Sequence, residues 1–434
     1  MKLSSCPTCG RETSSGAYYC PGCGEKLRGG AGADAPAMPV AAAARAFAAG
    51  GLEHPALGLR GMALMDGGPV LKRLDAWVLD RLRLTRYGAK TEVPTVLCET
   101  GEEFYGALFA DEPLSQAQMR ELLAAQLAAA QAQAEDGGGM FGLFLGAHGC
   151  LVNGWLFREL AGLDSVAACL KRPEVAARIF TTAAHEKWGH GFISTCTELG
   201  REAAALDLDR FHYARRFPAQ TVTTPRGVLL REKSQAVFQA SRFVEEGWAS
   251  WVDQLAGRNL AAILPECPEG GGGHTLPEPE TLLAALADVL PPAGMKAMTV
   301  LLRPGAGTPE QATAAMAWLE EAEEKLNAFF TARFHRPARY VVGQAMCAAL
   351  AARLGERAVP AAVAHAGNDR YELEKTSVSD LVSVVAGNSG LNMNRRLAAL
   401  LALAAAVPPG GDAAVALARA AHDRLSWTVP EWAR

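Results

Sequence analysis

The chain has 434 residues, half of them hydrophobic and 20% charged, which is enough for two or three domains with packed cores. Its 42 basic and 46 acidic residues give a formal net charge of −4, which excludes the strongly basic proteins that bind nucleic acids or anionic membranes through bulk charge. No signal-peptide core opens the sequence and no stretch makes a good membrane span. We therefore expect a cytoplasmic protein with neither a membrane nor a nucleic-acid partner.

The first predicted unit, residues 1–28, contains two C-x-x-C pairs, Cys6 with Cys9 and Cys20 with Cys23. Each pair can place two thiolates on one ion, and two pairs complete a tetrahedral site of four sulfurs. A unit this short has almost no core, so bound metal would have to hold it together. The pattern resembles the small zinc ribbons of many bacterial proteins. It implies one structural Zn2+, and another protein is a possible partner. Such ribbons bind proteins or nucleic acids or are purely structural, and the sequence does not choose between these roles.

Predicted elements follow in chain order. Residues 29–50 are rich in Ala, Gly and Pro and predict a flexible linker. Residues 91–100 have strand character, and Pro94 predicts that this strand lies at a sheet edge. A helix is predicted over 115–139, with Ser115 as the cap at its start and three glycines at its end. The two apolar runs of 140–154, separated by Gly-Ala-His-Gly, predict a hairpin.

A helix predicted from Pro173 carries the segment "TTAAHEKWGHGF", residues 181–192. In the metalloprotease motif H-E-x-x-H, two imidazoles four residues apart share a helix face and reach one zinc ion. Here His185 and His190 are five apart, so a regular helix would separate them by about 140°. A π-turn, which Gly189 would ease because it lacks a Cβ, brings the rings together. The spacing resembles the H-E-x-x-x-H helix of the TldD-type microcin-processing metalloproteases.

The third metal ligand is predicted on a later helix. A polar stretch from about Arg201 to Arg231 is predicted to be irregular, and a strong helix follows over 232–257. This helix contains Glu245-Glu246-Gly-Trp-Ala, which resembles the "EGxA" helix of gluzincins, the metallopeptidases whose third zinc ligand is a glutamate on a later helix. The resemblance implies Glu246 as the ligand, with Glu245 as the alternative. The apolar neighbours also predict a buried carboxylate, which needs a partner such as a metal.

The resemblance to gluzincins covers roughly residues 90–375, in order. The apolar run before the metal helix stands where zincins carry the edge strand of the substrate cleft. The run 339–367 is similar to the Tyr-x-x-Gly helix that follows the glutamate helix, which implies a catalytic role for Tyr340. We therefore expect an α+β, mostly helical fold. A zincin-like metal-binding region with a small sheet would cover 51–264, and an all-helical region, 276–434, would pack on it.

The implied chemistry is hydrolysis of peptide bonds by one catalytic Zn2+, held by His185, His190 and Glu246 with a fourth position open to water. The metal would lower the pKa of that water and polarise the peptide carbonyl, while Glu186 would serve as general base and then as general acid. Three side chains are candidates for stabilising the oxyanion: Tyr340, His212 and Tyr213.

A second hypothesis is a zincin-like protein that has lost catalysis and acts as a scaffold or adaptor through its zinc ribbon. The extra residue in the H-E motif favours this interpretation. The intact set of ligands and base favours a peptidase with a peptide or protein substrate. Metal content separates the two hypotheses, because the enzyme would hold about two zinc ions per chain and the scaffold about one.

Overall fold

A computed structural model describes most of the chain beyond residue 68. The described residues are 3–5, 12–14, 53–54, 59–60, 63–65, 69–89, 95–109, 114–132, 140–144, 149–216, 224–265, 275–368, 372–373, 375–386, 392–408 and 411–434. The predicted linker, 29–50, lies outside them. So do the four predicted ribbon ligands, Cys6, Cys9, Cys20 and Cys23.

The described elements are mainly helices. The strands are β1 (Leu3–Ser5), β2 (Glu12–Ser14), β3 (Glu53–His54), β4 (Leu59–Arg60), β5 (Ala63–Leu64), β6 (Thr95–Leu97), β7 (Gly142–Phe144) and β8 (Cys150–Val152). The helices up to the glutamate helix are α1 (Pro69–Leu82), α2 (Gly101–Leu108), α3 (Gln116–Ala132), α4 (Gly154–Ala161), α5 (Val166–Cys169), α6 (Pro173–Ala184), α7 (Gly191–Cys196), α8 (Glu198–Arg216) and α9 (Pro225–Arg258). The later helices are α10 (Leu260–Ile263), α11 (Pro279–Leu286), α12 (Pro292–Leu302), α13 (Pro309–Phe334), α14 (Ala338–Leu354), α15 (Ala358–Ala366), α16 (Val378–Ala386), α17 (Met393–Ala404) and α18 (Ala413–Leu425). A mostly helical fold with a small sheet confirms the expected class at this coarse level.

The largest sheet has four strands in the order β5-β6-β8-β7. Strands β7 and β8 pair antiparallel, which confirms the predicted hairpin. Strand β6 pairs with β5 on one side and with β8 on the other, and all three of its residues are buried. The prediction that it is an edge strand is therefore wrong. Within the described residues its pairing begins at Thr95, and all three paired residues have an N–H to donate to the ladder.

Helix starts follow local capping chemistry. The Ser115 hydroxyl accepts a hydrogen bond from the Gln118 N–H, as the predicted cap requires. Helix α9 begins at Pro225, and the Thr224 hydroxyl accepts from the Gly227 N–H.

The polar stretch predicted to be irregular is largely helical, since α8 ends at Arg216 and α9 begins at Pro225. Leu206 of α8 and Leu230 of α9 are buried in one small cluster. Packing between the two helices therefore overrides the polar composition of the segment.

Helix α9 is the centre of the molecule. It has 34 residues and packs against α6, α8, α14, α16 and α17. One hydrophobic cluster extends from Met65 to Ala421, so the regions predicted as 51–264 and 276–434 share a core. Within the described residues, no helix combines the length and apolar character that crossing a bilayer requires.

Candidate metal centre

The turn that carries the H-E motif is widened into a π-helix. Helix α6 gives way to six π-helical residues, His185–His190, and α7 continues from Gly191. The Gly191 N–H donates to the carbonyl of Glu186, five residues back, which is the π-helical pattern. The predicted π-turn is confirmed. The imidazole rings of His185 and His190 become neighbours, with centroids 5.2 Å apart.

The π-turn docks directly on α9. A Cβ at Gly189 would lie 2.4 Å from the Cβ of Ala249, so the two backbones can meet only because residue 189 is a glycine. The indole N–H of Trp248 donates to the carbonyl of Trp188 at 3.0 Å. Contacts from another helix therefore hold the widened turn in place.

A buried ion pair fixes the other side of the π-turn. The Lys187 ammonium, 1% exposed, lies 2.9 Å from one carboxylate oxygen of Asp75 in α1. The second oxygen accepts a hydrogen bond from the Trp188 indole at 2.8 Å. Lys187 and Trp188 are therefore both bound to the Asp75 carboxylate of α1.

Glu246 of α9 meets both imidazoles. Its Oε2 lies 3.6 Å from His190 Nε2 and 3.9 Å from His185 Nε2. The three candidate ligand atoms all lie within 4.8 Å of one another, and ligands around a tetrahedral zinc ion are separated by about 3.4 Å. Oε2 is buried and has no hydrogen-bond partner among the described residues, a deficit that a cation would fill. The residues therefore fit a metal ion.

Glu245, the alternative ligand, does not join this group. Its carboxylate accepts a hydrogen bond from the Ser241 hydroxyl at 2.6 Å, one turn earlier on α9. Burial raises the pKa of Glu245, and nearby Glu246 adds to that shift. The structure therefore brings Glu246, and not Glu245, to the histidines.

A close helix crossing places Tyr340 at the same centre. A Cβ at Gly247 would lie 2.2 Å from the carbonyl carbon of Gly343, so α9 and α14 touch backbone to backbone beside Glu246. Tyr340 lies one turn before Gly343, and its ring is nearly parallel to that of His185, with centroids 6.4 Å apart. Burial and the charge of Glu246 raise the pKa of Tyr340 well above its usual value.

Glu186 faces the edge of the small sheet. A Cβ at Gly142 in β7 would lie 2.4 Å from Glu186 Oε1, so the carboxylate lies against that glycine. Burial raises the pKa of Glu186 to about 8; the charge of Glu246 adds to this shift, and the charge of His190 opposes it. The side chain is thus a proton-accepting group with a raised pKa, held beside the histidines.

The two histidines have opposite electrostatic environments. Burial lowers the pKa of His185 to about 3, and neighbouring His190 acts in the same direction. Burial would also lower the pKa of His190, but the carboxylates of Glu246 and Glu186 outweigh it and raise that pKa to about 9. Burial opposes ionisation of Glu246, yet contact with His190 lowers its pKa to about 2. The carboxylates of the centre therefore favour positive charge beside them, and a divalent cation would supply more of it than a proton on His190 does.

Two residues at this centre were not predicted. Asp253 Oδ2 lies 4.0 Å from His185 Nδ1, and burial raises the pKa of Asp253 to about 7. A carboxylate on that nitrogen orients an imidazole whose other nitrogen faces a metal. Asp253 follows Glu246 by two helical turns, so the spacing was a usable signal. No sequence pattern marked Arg336, whose guanidinium lies 5.4 Å from the centroid of the Tyr340 ring.

One further predicted candidate lies elsewhere. Tyr213 is buried with Leu206 and Leu230, and its hydroxyl is hydrogen-bonded to that of Thr224. Tyr213 is therefore not part of the candidate metal centre. The side chain of His212 lies outside the described residues.

Comparisons with protein family models, with curated proteins and with solved structures find no match to this chain. Interpretation of the site therefore depends on its own geometry and chemistry.

Proposed function

We propose that the chain is a zinc-dependent peptidase whose catalytic ion is held by His185, His190 and Glu246. The observation that carries the proposal is the convergence of these three side chains, made possible by the π-turn. Two imidazoles and one carboxylate leave a fourth position open, and such sets are typical of catalytic rather than structural zinc.

A bound zinc ion would supply an activated water and polarise the carbonyl of the scissile bond. Glu186, buried next to His185, accepts the proton released on attack and passes it to the leaving amine. Tyr340 donates its hydroxyl hydrogen to the carbonyl oxygen as negative charge develops there. Asp253 keeps the His185 ring in the orientation that points Nε2 toward Glu246.

The position of β7 supports a peptide as the substrate. In the described sheet, β7 is the terminal strand and pairs only with β8. Phe144 in this strand stacks on the His190 ring with centroids 6.5 Å apart, so the strand edge borders the candidate centre. An extended peptide can add to such an edge through main-chain hydrogen bonds, which would place a backbone carbonyl near the histidines.

The test compares the zinc-loaded chain with its Glu186→Gln variant on a mixture of unstructured peptides, with products identified by mass spectrometry. We expect cleavage by the wild type and a loss of roughly 100- to 10,000-fold in the variant, because the general base is removed while all three ligands remain. The matched control is Glu174→Gln, an exposed glutamate on α6, which should cleave like the wild type. Equal cleavage by both variants would refute the role of Glu186.

Zinc content, measured in the same preparations, separates the peptidase from an inactive scaffold. Glu186→Gln should retain the wild-type count, whereas His185→Ala should lose one ion per chain. A chain that cleaves no peptide, and whose zinc count His185→Ala leaves unchanged, would support the scaffold acting through the ribbon.

A further inference from the structure

An arginine for which the described part of the chain offers no ion-pair partner, Arg336, lies beside the proposed catalytic centre. The Arg336 guanidinium is 5.4 Å from the centroid of the Tyr340 ring, which is itself nearly parallel to the His185 ring. The guanidinium therefore lies on the side of the candidate centre that α14 forms.

A second arginine, Arg339, contacts the same ring but has a carboxylate partner. The Arg339 guanidinium lies 5.5 Å from the Tyr340 centroid, but it is also paired with Glu323 at 3.6 Å. No described carboxylate lies within ion-pair distance of Arg336, whose side chain is only partly buried. Arg339 therefore has a structural partner, whereas Arg336 keeps its donors available beside the centre.

The charge at the centre favours an anionic group at this position. The Arg336 guanidinium lies beside the Tyr340 ring with no described carboxylate within ion-pair distance, whereas Arg339 on the same ring is paired with Glu323. A guanidinium binds a carboxylate through two parallel hydrogen bonds, a geometry that a lysine ammonium cannot provide.

We propose that Arg336 binds a carboxylate of the substrate, so that the centre takes peptides with an acidic group close to the scissile bond. This inference deepens the proposed peptidase function and rests on it for the identity of the substrate. The carboxylate can be the C-terminus of the peptide or an acidic side chain, since both offer the same chemistry to Arg336.

Binding is measured separately from cleavage, in the zinc-loaded Glu186→Gln variant. The probes are acetyl-tetraalanine with a free C-terminal carboxylate, its C-terminal amide, and amides in which one alanine is replaced by glutamate. We expect the free acid, or one of the glutamate amides, to bind about tenfold more tightly than the plain amide, as a charged hydrogen-bonded pair provides. Which probe gains affinity identifies the source of the carboxylate.

Adding Arg336→Gln should abolish this preference, and Arg336→Lys should restore part of it. The matched control is Arg333→Gln, which removes the same charge from an exposed position on α13 and should keep the full preference. Equal binding of all probes, or a preference that survives Arg336→Gln, would overturn the inference. An arginine that only screens nearby carboxyl groups would alter zinc affinity without creating any difference between acid and amide.

The two proposals fail in distinguishable ways. A preference for carboxylate probes without cleavage by the wild type would refute the peptidase and retain the anion site. Cleavage without a preference for carboxylate probes would refute the anion site and retain the peptidase.

Discussion

At the scale of single residues, the candidate centre depends on side chains that do not touch the ligand atoms. Lys187 and Trp188 stand between the two histidines in sequence, and both are bound by Asp75. The Trp188 carbonyl is also bound by Trp248. The chain between His185 and His190 is therefore fixed by long-range contacts.

Asp75→Asn should be strongly destabilising, because it removes the negative charge that lies 2.9 Å from the buried Lys187 ammonium. We expect a loss of about 3–5 kcal/mol in the free energy of unfolding, measured by urea titration. Zinc affinity should fall as well, since the π-turn loses an anchor. The control is Asp80→Asn on the exposed side of α1, which should change stability by less than about 0.5 kcal/mol. A similar small effect at both positions would mean that Lys187 does not require the ion pair.

Residue identities predicted much of the centre, but not all of it. The five-residue spacing and Gly189 were enough to predict the widened turn, because each has a local geometric meaning. The placement of Glu246, rather than Glu245, follows from the rotation of α9 about its axis, which neighbouring helices set. Asp75 could not be predicted, because its partners Lys187 and Trp188 are far away in sequence. No local pattern marks Arg336 as part of the centre.

At the scale of elements, the crossing of α9 and α14 controls the distance between Glu246 and Tyr340. Gly247 and Gly343 meet at this crossing with no space for a Cβ on either. The sequence contains both glycines within the two predicted helices. Their pairing could not be predicted, because helix packing is determined by the whole set of neighbours and not by one motif.

Gly247→Ala should force the two helices apart. The added Cβ would meet backbone atoms of Gly343, which cannot rotate away as a side chain can. We expect a loss of about 1–3 kcal/mol in unfolding free energy and weaker zinc binding, measured by urea titration and by competition with a chelator. Gly106→Ala in α2, where a Cβ meets nothing within 4 Å, should be neutral or stabilising by up to about 1 kcal/mol. Unchanged zinc affinity in Gly247→Ala would show that this crossing does not position the site.

At the scale of the whole molecule, a buried histidine and two half-buried tryptophans connect α15 to the last residues of the chain. His365 of α15 is 2% exposed, and its ring packs at right angles to Trp432 with centroids 6.4 Å apart. The ring also packs edge-on against Trp427. Neither ring nitrogen has a hydrogen-bond partner among the described residues. Burial lowers the pKa of His365 to about 3, and the charge of Arg396 acts in the same direction.

This environment predicts a specific loss of stability in acid. Because the pKa of His365 is lower in the folded chain, the neutral ring stabilises the fold fully above the unfolded pKa of about 6.5. That contribution declines as the pH falls from about 6.5 towards 3, by up to about 1.4 kcal/mol per pH unit. His365→Phe should therefore show a shallower decline in unfolding free energy between pH 6.5 and 4 than the wild type. Equal slopes in His365→Phe and the wild type would exclude His365 as the cause.

Four side chains of helix α9 contact the π-turn, and they lie within about two helical turns of one another: Glu246, Trp248, Ala249 and Asp253. All four side chains lie on one continuous helix, so a shift of α9 would displace them together. A metal ion bound by Glu246 and the π-turn would therefore not be loosened gradually. Release should occur as an all-or-none event, in step with the detachment of α9 from the rest of the core.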